Sequence, residues 1–358
     1  MEFQIIWNGS FPYLHHMLRI LFLLLAAMGA VSARAQTLGG RTVFNFLRLP
    51  ASPQVSASGG MNISRQTNDV SLALQNPALF RPETSGDLSV SFSSFYAGIK
   101  NLMALQSFSH KPSQTQIAAA VHYFSYGSIP HTDAAGNEMG IFRPRDYVMQ
   151  VSASRSYLEK WRYGISLKYI GSNYGIQRAS GMAVDAGFLF LDTAAGVQIG
   201  FVASNMGTQL STYNGEKEEL PFDLKLGLSK KLKNAPLQFC LTLHHLQAFA
   251  LRYEDPRFEP ENPQRKSFFD DLFRHMVMSV QFAPADRIEI TAGYNYLRRK
   301  ELNIADSQNG LNGFSLGAGV LLKQFQLRYA LSYYQSSKPY QQLGLSLPLR
   351  SFLSGPAI

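Results

Sequence analysis

Charge is scarce in this chain, and so are cysteines and long apolar runs. Asp, Glu, Lys and Arg supply only 16% of the 358 residues, against about a quarter in average soluble domains. Yet 46% of the residues are hydrophobic and 12% aromatic, and the mean hydropathy is near zero at -0.09. Alternation of apolar with small polar residues gives this balance, because a membrane barrel needs an oily outside and a polar inside. The one cysteine, Cys240, excludes an internal disulfide. Its neighbours Phe239 and Leu241 share one strand face, which turns Cys240 toward the other as a small space-filling residue. Nothing after Ala35 approaches the roughly 20 apolar residues a membrane helix needs, so any spanning is by strands.

Motifs for chemistry are also missing. There is no Gly-rich phosphate cradle, no G-x-S-x-G elbow and no cysteine pair. His244, His245 and His275 bracket the longest loop, with Asp255, Asp270 and Asp271 inside it, but the group lacks a fixed metal-ligand spacing. These residues read as polar loop residues, so no catalytic residue, cofactor or metal is expected. The formal net charge of +9 suits anionic lipid or lipopolysaccharide phosphates. It equally suits a scatter of solvated charges, since no block of five or more like charges occurs, and nucleic acid is not an expected partner.

What is present falls into three segments. Met17-Leu18-Arg19 opens an apolar core from Ile20 to Ala27, and Ala33-Arg34-Ala35 is an A-x-A cleavage pattern, so residues 1–35 read as a signal peptide with Met17 as a possible start. Residues 36–87 read as an N-terminal hatch. Gly40 to Pro50 is too polar for a lipid-facing strand and too apolar for a free tail. Val70, Leu72 and Leu74 alternate with small partners before Asn76-Pro77-Ala78, a turn signal because Pro77 fixes its own φ and disfavours helix at Asn76.

Residues 88–358 read as a transmembrane barrel of fourteen antiparallel strands. Every second residue gives an apolar face: Leu88, Val90, Phe92 first; Met103 and Leu105 as a weak second; then faces such as Tyr163, Ile165, Leu167, Tyr169 and Phe314, Leu316, Ala318, Val320. The intervening positions are polar or glycine, namely Gly164, Gly187, Gly200, Gly227, Gly293, Gly317, Gly319 and Gly344, where a missing side chain leaves room for a plug. Connections alternate in length as in outer-membrane barrels. Gly127 to Arg145, Gly171 to Met182, Met206 to Pro221, His244 to His275 and Leu297 to Gly313 are long and those between them are short, with two lapses at the first and last outer connections.

Several stretches together resemble one family: Gly40 to Pro50, Asp69 to Leu79, Leu220-Pro221-Phe222 with Leu226 to Leu232, Leu241 to Gln247, and Gly293 to Leu302. They look like the PorQ family, the FadL-related outer-membrane barrels of the Bacteroidota type IX secretion system, over essentially the whole mature chain. The resemblance implies a non-enzymatic anchor in an attachment complex with PorU-, PorV- and PorZ-like partners, serving cargo processing and lipopolysaccharide coupling. One departure is the end of the chain, Ser351 to Ile358, which lacks a terminal aromatic. Partner-binding residues are expected on the two longest loops: Phe249, Tyr253, Phe258, Phe268 and Phe269, and Arg298, Arg299 and Lys300, since interfaces favour aromatics and arginine as anchors. Two alternatives stay open. A FadL-like transporter of hydrophobic small molecules needs a greasy lumen and a mobile hatch, and a general porin needs no plug.

Overall fold

The computed structural model describes residues 42–249, 251, 268–302, 310–334 and 339–349. The signal-peptide reading, Tyr253, Phe258 and the chain end at Ser351 to Ile358 lie outside these residues. Sixteen strands are present among the described residues, and fourteen of them close into a barrel. In chain order they are β1 Asp87–Ser94, β2 Lys100–His110, β3 Thr115–Ser125, β4 Ile129–Thr132, β5 Glu138–Phe142, β6 Arg145–Tyr157, β7 Trp161–Tyr174 and β8 Gln177–Asp192. They continue with β9 Val197–Ser211, β10 Asp223–Lys231, β11 Leu237–Leu243, β12 Met276–Ala285, β13 Ile288–Asn295, β14 Phe314–Leu321, β15 Gln326–Ser332 and β16 Tyr340–Pro348.

Each barrel strand pairs antiparallel with its neighbour in the chain, and β1 meets β16 from Asp87↔Pro348 to Ser94↔Gln341, which abolishes both sheet edges. β4 and β5 form a separate hairpin inside the 126–144 connection. The outward face is apolar and open to the surroundings, as at Met149, Val151, Ile165, Leu167, Phe188 and Leu316. In water such a surface would be an aggregation liability; in hydrocarbon it is the lipid contact. Aromatic pairs lie at both ends of this face. Trp161 and Phe190 sit 4.9 Å apart near the 158–160 and 193–196 turns, while Tyr147 and Tyr169 (6.3 Å) and Tyr294 and Phe314 (4.7 Å) sit toward the long connections. From Trp161 to Tyr169 the strand runs roughly 26 Å at about 3.3 Å per residue, or about 20 Å of height at the usual strand tilt, most of the apolar band of about 25 Å. The chain is therefore a membrane barrel of the outer-membrane type, with its short turns on the periplasmic side.

Two expectations are corrected. β2 was expected to show Met103 and Leu105 to lipid, but both are fully buried inside the barrel, and Leu102 and Phe108 face out instead. Inside, Met103 and Leu105 meet an apolar cluster containing Val70, Leu72, Ala73, Leu79 and Phe80. An apolar plug inverts the usual polarity of the inner wall, so the pattern of hydrophobicity misleads by one residue there. The connection expected from Gly171 to Met182 is instead strand: β7 and β8 stay paired to Tyr174↔Gln177, and Gly175 turns the chain at a φ of +75°. Backbone pairing continues beyond the lipid band because it does not depend on the side-chain pattern.

Residues 42–86 occupy the barrel lumen. They form short turns of helix, Asn45–Arg48, Pro53–Ala57, Val70–Leu74, Pro77–Leu79 and Pro82–Thr84, joined by extended segments. Short helical turns satisfy much of their own backbone locally, and the wall's polar face supplies partners for the rest. Val43, Phe44 and Phe46 cluster with Phe124, Val148, Ile170, Ala179 and Ala183 of the wall and with Leu220 of the connection that follows β9.

Candidate functional site

The hatch is wedged against glycine. Asn76 is completely buried; its Oδ1 accepts from the Ala78 N–H at 3.0 Å, and its Nδ2 donates to Ile63 O at 2.7 Å and to Phe188 O in β8 at 3.3 Å. Pro77 starts the short helix that follows, where its missing N–H is harmless. A side chain at Gly164 would collide with the Pro77 carbonyl, and one at Gly187 with the Asn76 side chain. Gly200 and Gly227 likewise admit Ile63 and Ser64, Gly293 and Gly317 admit Ala57 to Gly59, and Gly344 admits Pro53. Gly319 differs, since the space it leaves is taken by Glu289 and Arg328 of the neighbouring strands.

Polar contacts add to this fit. Ser91 Oγ donates to Ala51 O at 2.6 Å, Ser64 and Ser229 hydroxyls lie 2.7 Å apart, and Asn295 Nδ2 and Arg298 Nη2 both donate to Gly59 O at 3.2 and 3.1 Å. Arg328 of β15 pairs with Glu289 at 2.5 Å and reaches Asp69 of the hatch at 3.6 Å. Breaking one partner of such a buried pair strands a charge in a place water reaches poorly, which is far costlier than losing a surface pair.

One cavity lies beside the hatch and one groove on the outer wall. A cavity of about 70 Å³ is lined by Leu47, Leu49, Leu74, Ala120, Lys168 and Asp185, among others, with Lys168 paired to Asp185 at 2.6 Å. Back to back with it, a groove of about 470 Å³ indents the outer wall, lined by Leu88, Ala104, Ala119, Val121, Met149 and Leu167, among others. Ala120, Gln150 and Lys168 border both, so a single layer of strands divides them. Sequence reading missed this groove. Its signal was Ala118-Ala119-Ala120 in β3, where small residues on both faces of the wall replace the large ones found elsewhere.

The residues expected at the extracellular mouth divide in two. Phe249, Phe268 and Phe269 are more than half exposed; Phe249 stacks on Phe268 at 5.7 Å, and Phe268 meets Phe269 edge-on at 6.0 Å. The three basic residues are engaged within the chain. Arg298 lies 4.1 Å over the Tyr334 ring besides holding Gly59, Arg299 donates to Gly310 O at 2.8 Å, and Lys300 lies 3.4 Å from Asp270. Asp270 also accepts from the Tyr296 hydroxyl at 2.5 Å and Arg274 Nε at 3.1 Å. Partial burial raises its pKa, but these bonds outweigh that and hold the carboxyl down at about 2. The helix Phe268–Arg274 is thereby clamped to the helix Tyr296–Glu301.

Fold and lumen together define a plugged outer-membrane β-barrel. No protein-family model matches the chain, and no curated protein is similar to it in sequence. Among solved structures it is similar to the Pseudomonas putida toluene transporter TodX at 12% identity and a TM-score of 0.48, covering 83% of this chain and 96% of that one. It is similar to a Pseudomonas aeruginosa FadL homologue at 10% identity and a TM-score of 0.43, covering 83% and 97%, and to the CymD monoaromatic hydrocarbon channel at 12% and 0.43, covering 85% and 97%. Identities and scores this low establish no kinship, to FadL-type channels or to the PorQ family.

Proposed function

We propose that this barrel passes small hydrophobic compounds across the outer membrane, with its hatch as the gate. The observation behind this reading is the pairing of an apolar groove on the lipid-facing wall with a cavity beneath the hatch, divided by one layer of strands. About 470 Å³ lies within the range of small-ligand sites, and the groove's outward residues are nearly all apolar. A compound dissolved in the membrane would reach it without crossing water. The inner cavity, at about 70 Å³, is too small for such a compound, so passage requires Leu74 and Gln75 of the hatch to shift.

A second reading is favoured by the exposed Phe249, Phe268 and Phe269: an anchor of the PorQ kind, presenting these rings to a PorZ-like surface protein in a complex with PorU- and PorV-like components beside lipopolysaccharide. One experiment separates the two. Ala104→Phe with Ala119→Phe fills the groove from outside without touching the hatch, and Phe249→Ser with Phe268→Ser and Phe269→Ser blunts the mouth. Transport predicts that the first pair lowers uptake of a toluene-sized hydrocarbon about tenfold in cells carrying correctly inserted barrel, while the second set leaves it unchanged. Uptake equal to that of cells lacking the barrel before any substitution, together with loss of a co-purifying surface protein in the second set, would replace transport with the anchor.

A further inference from the structure

At the extracellular end of β11 the chain places two consecutive imidazoles side by side. Neighbouring residues in a strand face opposite ways. Here His245 takes a left-handed φ of 55°, and the two ring centroids come to 4.7 Å. The bend is held on both sides: His245 N donates to Asp223 Oδ1 at 2.6 Å, and His244 N donates to His275 O at 3.0 Å. As a result one ligand-capable atom from each of Asp223, His244 and His245 lies within 4.8 Å of the other two. A second feature points to a ligand. His244 is 1% exposed, and neither of its ring nitrogens has a hydrogen-bond partner, although buried polar groups are otherwise nearly always satisfied.

We propose that Asp223, His244 and His245 bind a divalent transition-metal ion of the zinc type. Two imidazole nitrogens and one carboxylate oxygen are a donor set that such ions take, with water in a fourth position. His245 Nδ1 already lies 3.4 Å from Asp223 Oδ1, so bringing the three atoms to coordination distance takes shifts of about an ångström. His275 is a positioning residue: its Nδ1 lies 2.7 Å from His244 O and its Nε2 3.1 Å from Phe249 O, so it orients the backbone of the bend. The adverse neighbours are Lys225, whose ammonium lies 3.6 Å from Asp223 Oδ2 and now supplies its counter-charge, and Arg48, whose charge also acts on Asp223 and His245. A bound cation would take over that role, and the lysine would swing away. The ion would then tie β10 to the start of the 244–275 connection, which carries the exposed mouth aromatics.

The test uses the full-length barrel without a histidine tag, folded in detergent and titrated with Co²⁺ and then Zn²⁺. One Co²⁺ per chain is expected, with visible d–d bands that Zn²⁺ abolishes. Asp223→Asn and His244→Phe should each weaken Co²⁺ binding at least tenfold, and His131→Ala, on the remote β4, should not change it. Should the His244 variant fail to fold, Lys225→Met decides, since removing the competing ammonium should tighten binding several-fold. Absence of Co²⁺ binding, bands that survive His244→Phe, or unchanged or weaker binding in Lys225→Met would each overturn the site.

Discussion

Glycine is the residue that most directly joins wall to hatch. At Gly293 an added methyl would run into backbone atoms of Ala57, Ser58 and Gly59, none of which can rotate away as a side-chain tip could. At Gly310 it would meet nothing within 4 Å. Gly293→Ala should therefore destabilise the folded barrel by about 1–3 kcal/mol, the usual cost of overpacking, and Gly310→Ala should stay within about 0.5 kcal/mol of the parent. Urea midpoints of the heat-modifiable band measure both. Equal midpoints would mean that the hatch does not bear on β13 as described.

At the scale of elements, the two short extracellular helices meet through the Phe273 and Tyr296 rings, 5.7 Å apart, and through one carboxylate. Asp270 has its folded pKa lowered from 3.8 to about 2, so its clamp contributes fully above the unfolded value and is lost as pH falls from about 4 through 2. At neutral pH the helices Phe268–Arg274 and Tyr296–Glu301 are held together. Tyr296→Phe removes one of the bonds that depress the pKa and should move the loosening to higher pH, nearer the ordinary carboxylate value. Amide hydrogen exchange in the two helices between pH 2 and 5 checks this. Identical profiles for parent and variant would show that the hydroxyl does not support the clamp. His244 and His245 titrate differently, since burial pushes their pKa values down to about 3 and about 4 and both rings are neutral at physiological pH.

For the whole molecule, the hatch sets how much of the lumen is filled. Fourteen strands enclose enough space for a channel or a plug, and here residues 42–86 occupy it, with a cavity of about 70 Å³ beside Leu74 and Gln75. Deleting residues 42–79 should leave a barrel that inserts, because each strand keeps both neighbours, and should raise single-channel conductance in planar bilayers several-fold over a nearly closed parent. Equal conductances would show that the segment does not block the lumen.

The sequence by itself determined the number of barrel strands and the outward face of every one of them except β2. Lipid demands apolar residues at every second position and backbone pairing demands closure, and both leave a periodic record in composition. Gly164, Gly187, Gly200 and their counterparts were also legible, because glycine at an inward position has few uses besides close approach. Only the tertiary structure decided what depends on residues distant in sequence. Met103 and Leu105 turn inward because the hatch offers Leu72 and Leu79 to them, and no pattern within β2 records that neighbour. Arg298 reads as a surface anchor in its run of basic residues, yet it holds Gly59, more than two hundred positions away in the chain. Asp223 meets His244 and His245 because β10 and β11 are paired and a left-handed bend follows, so a ligand spacing that looks irregular in sequence becomes a cluster in space.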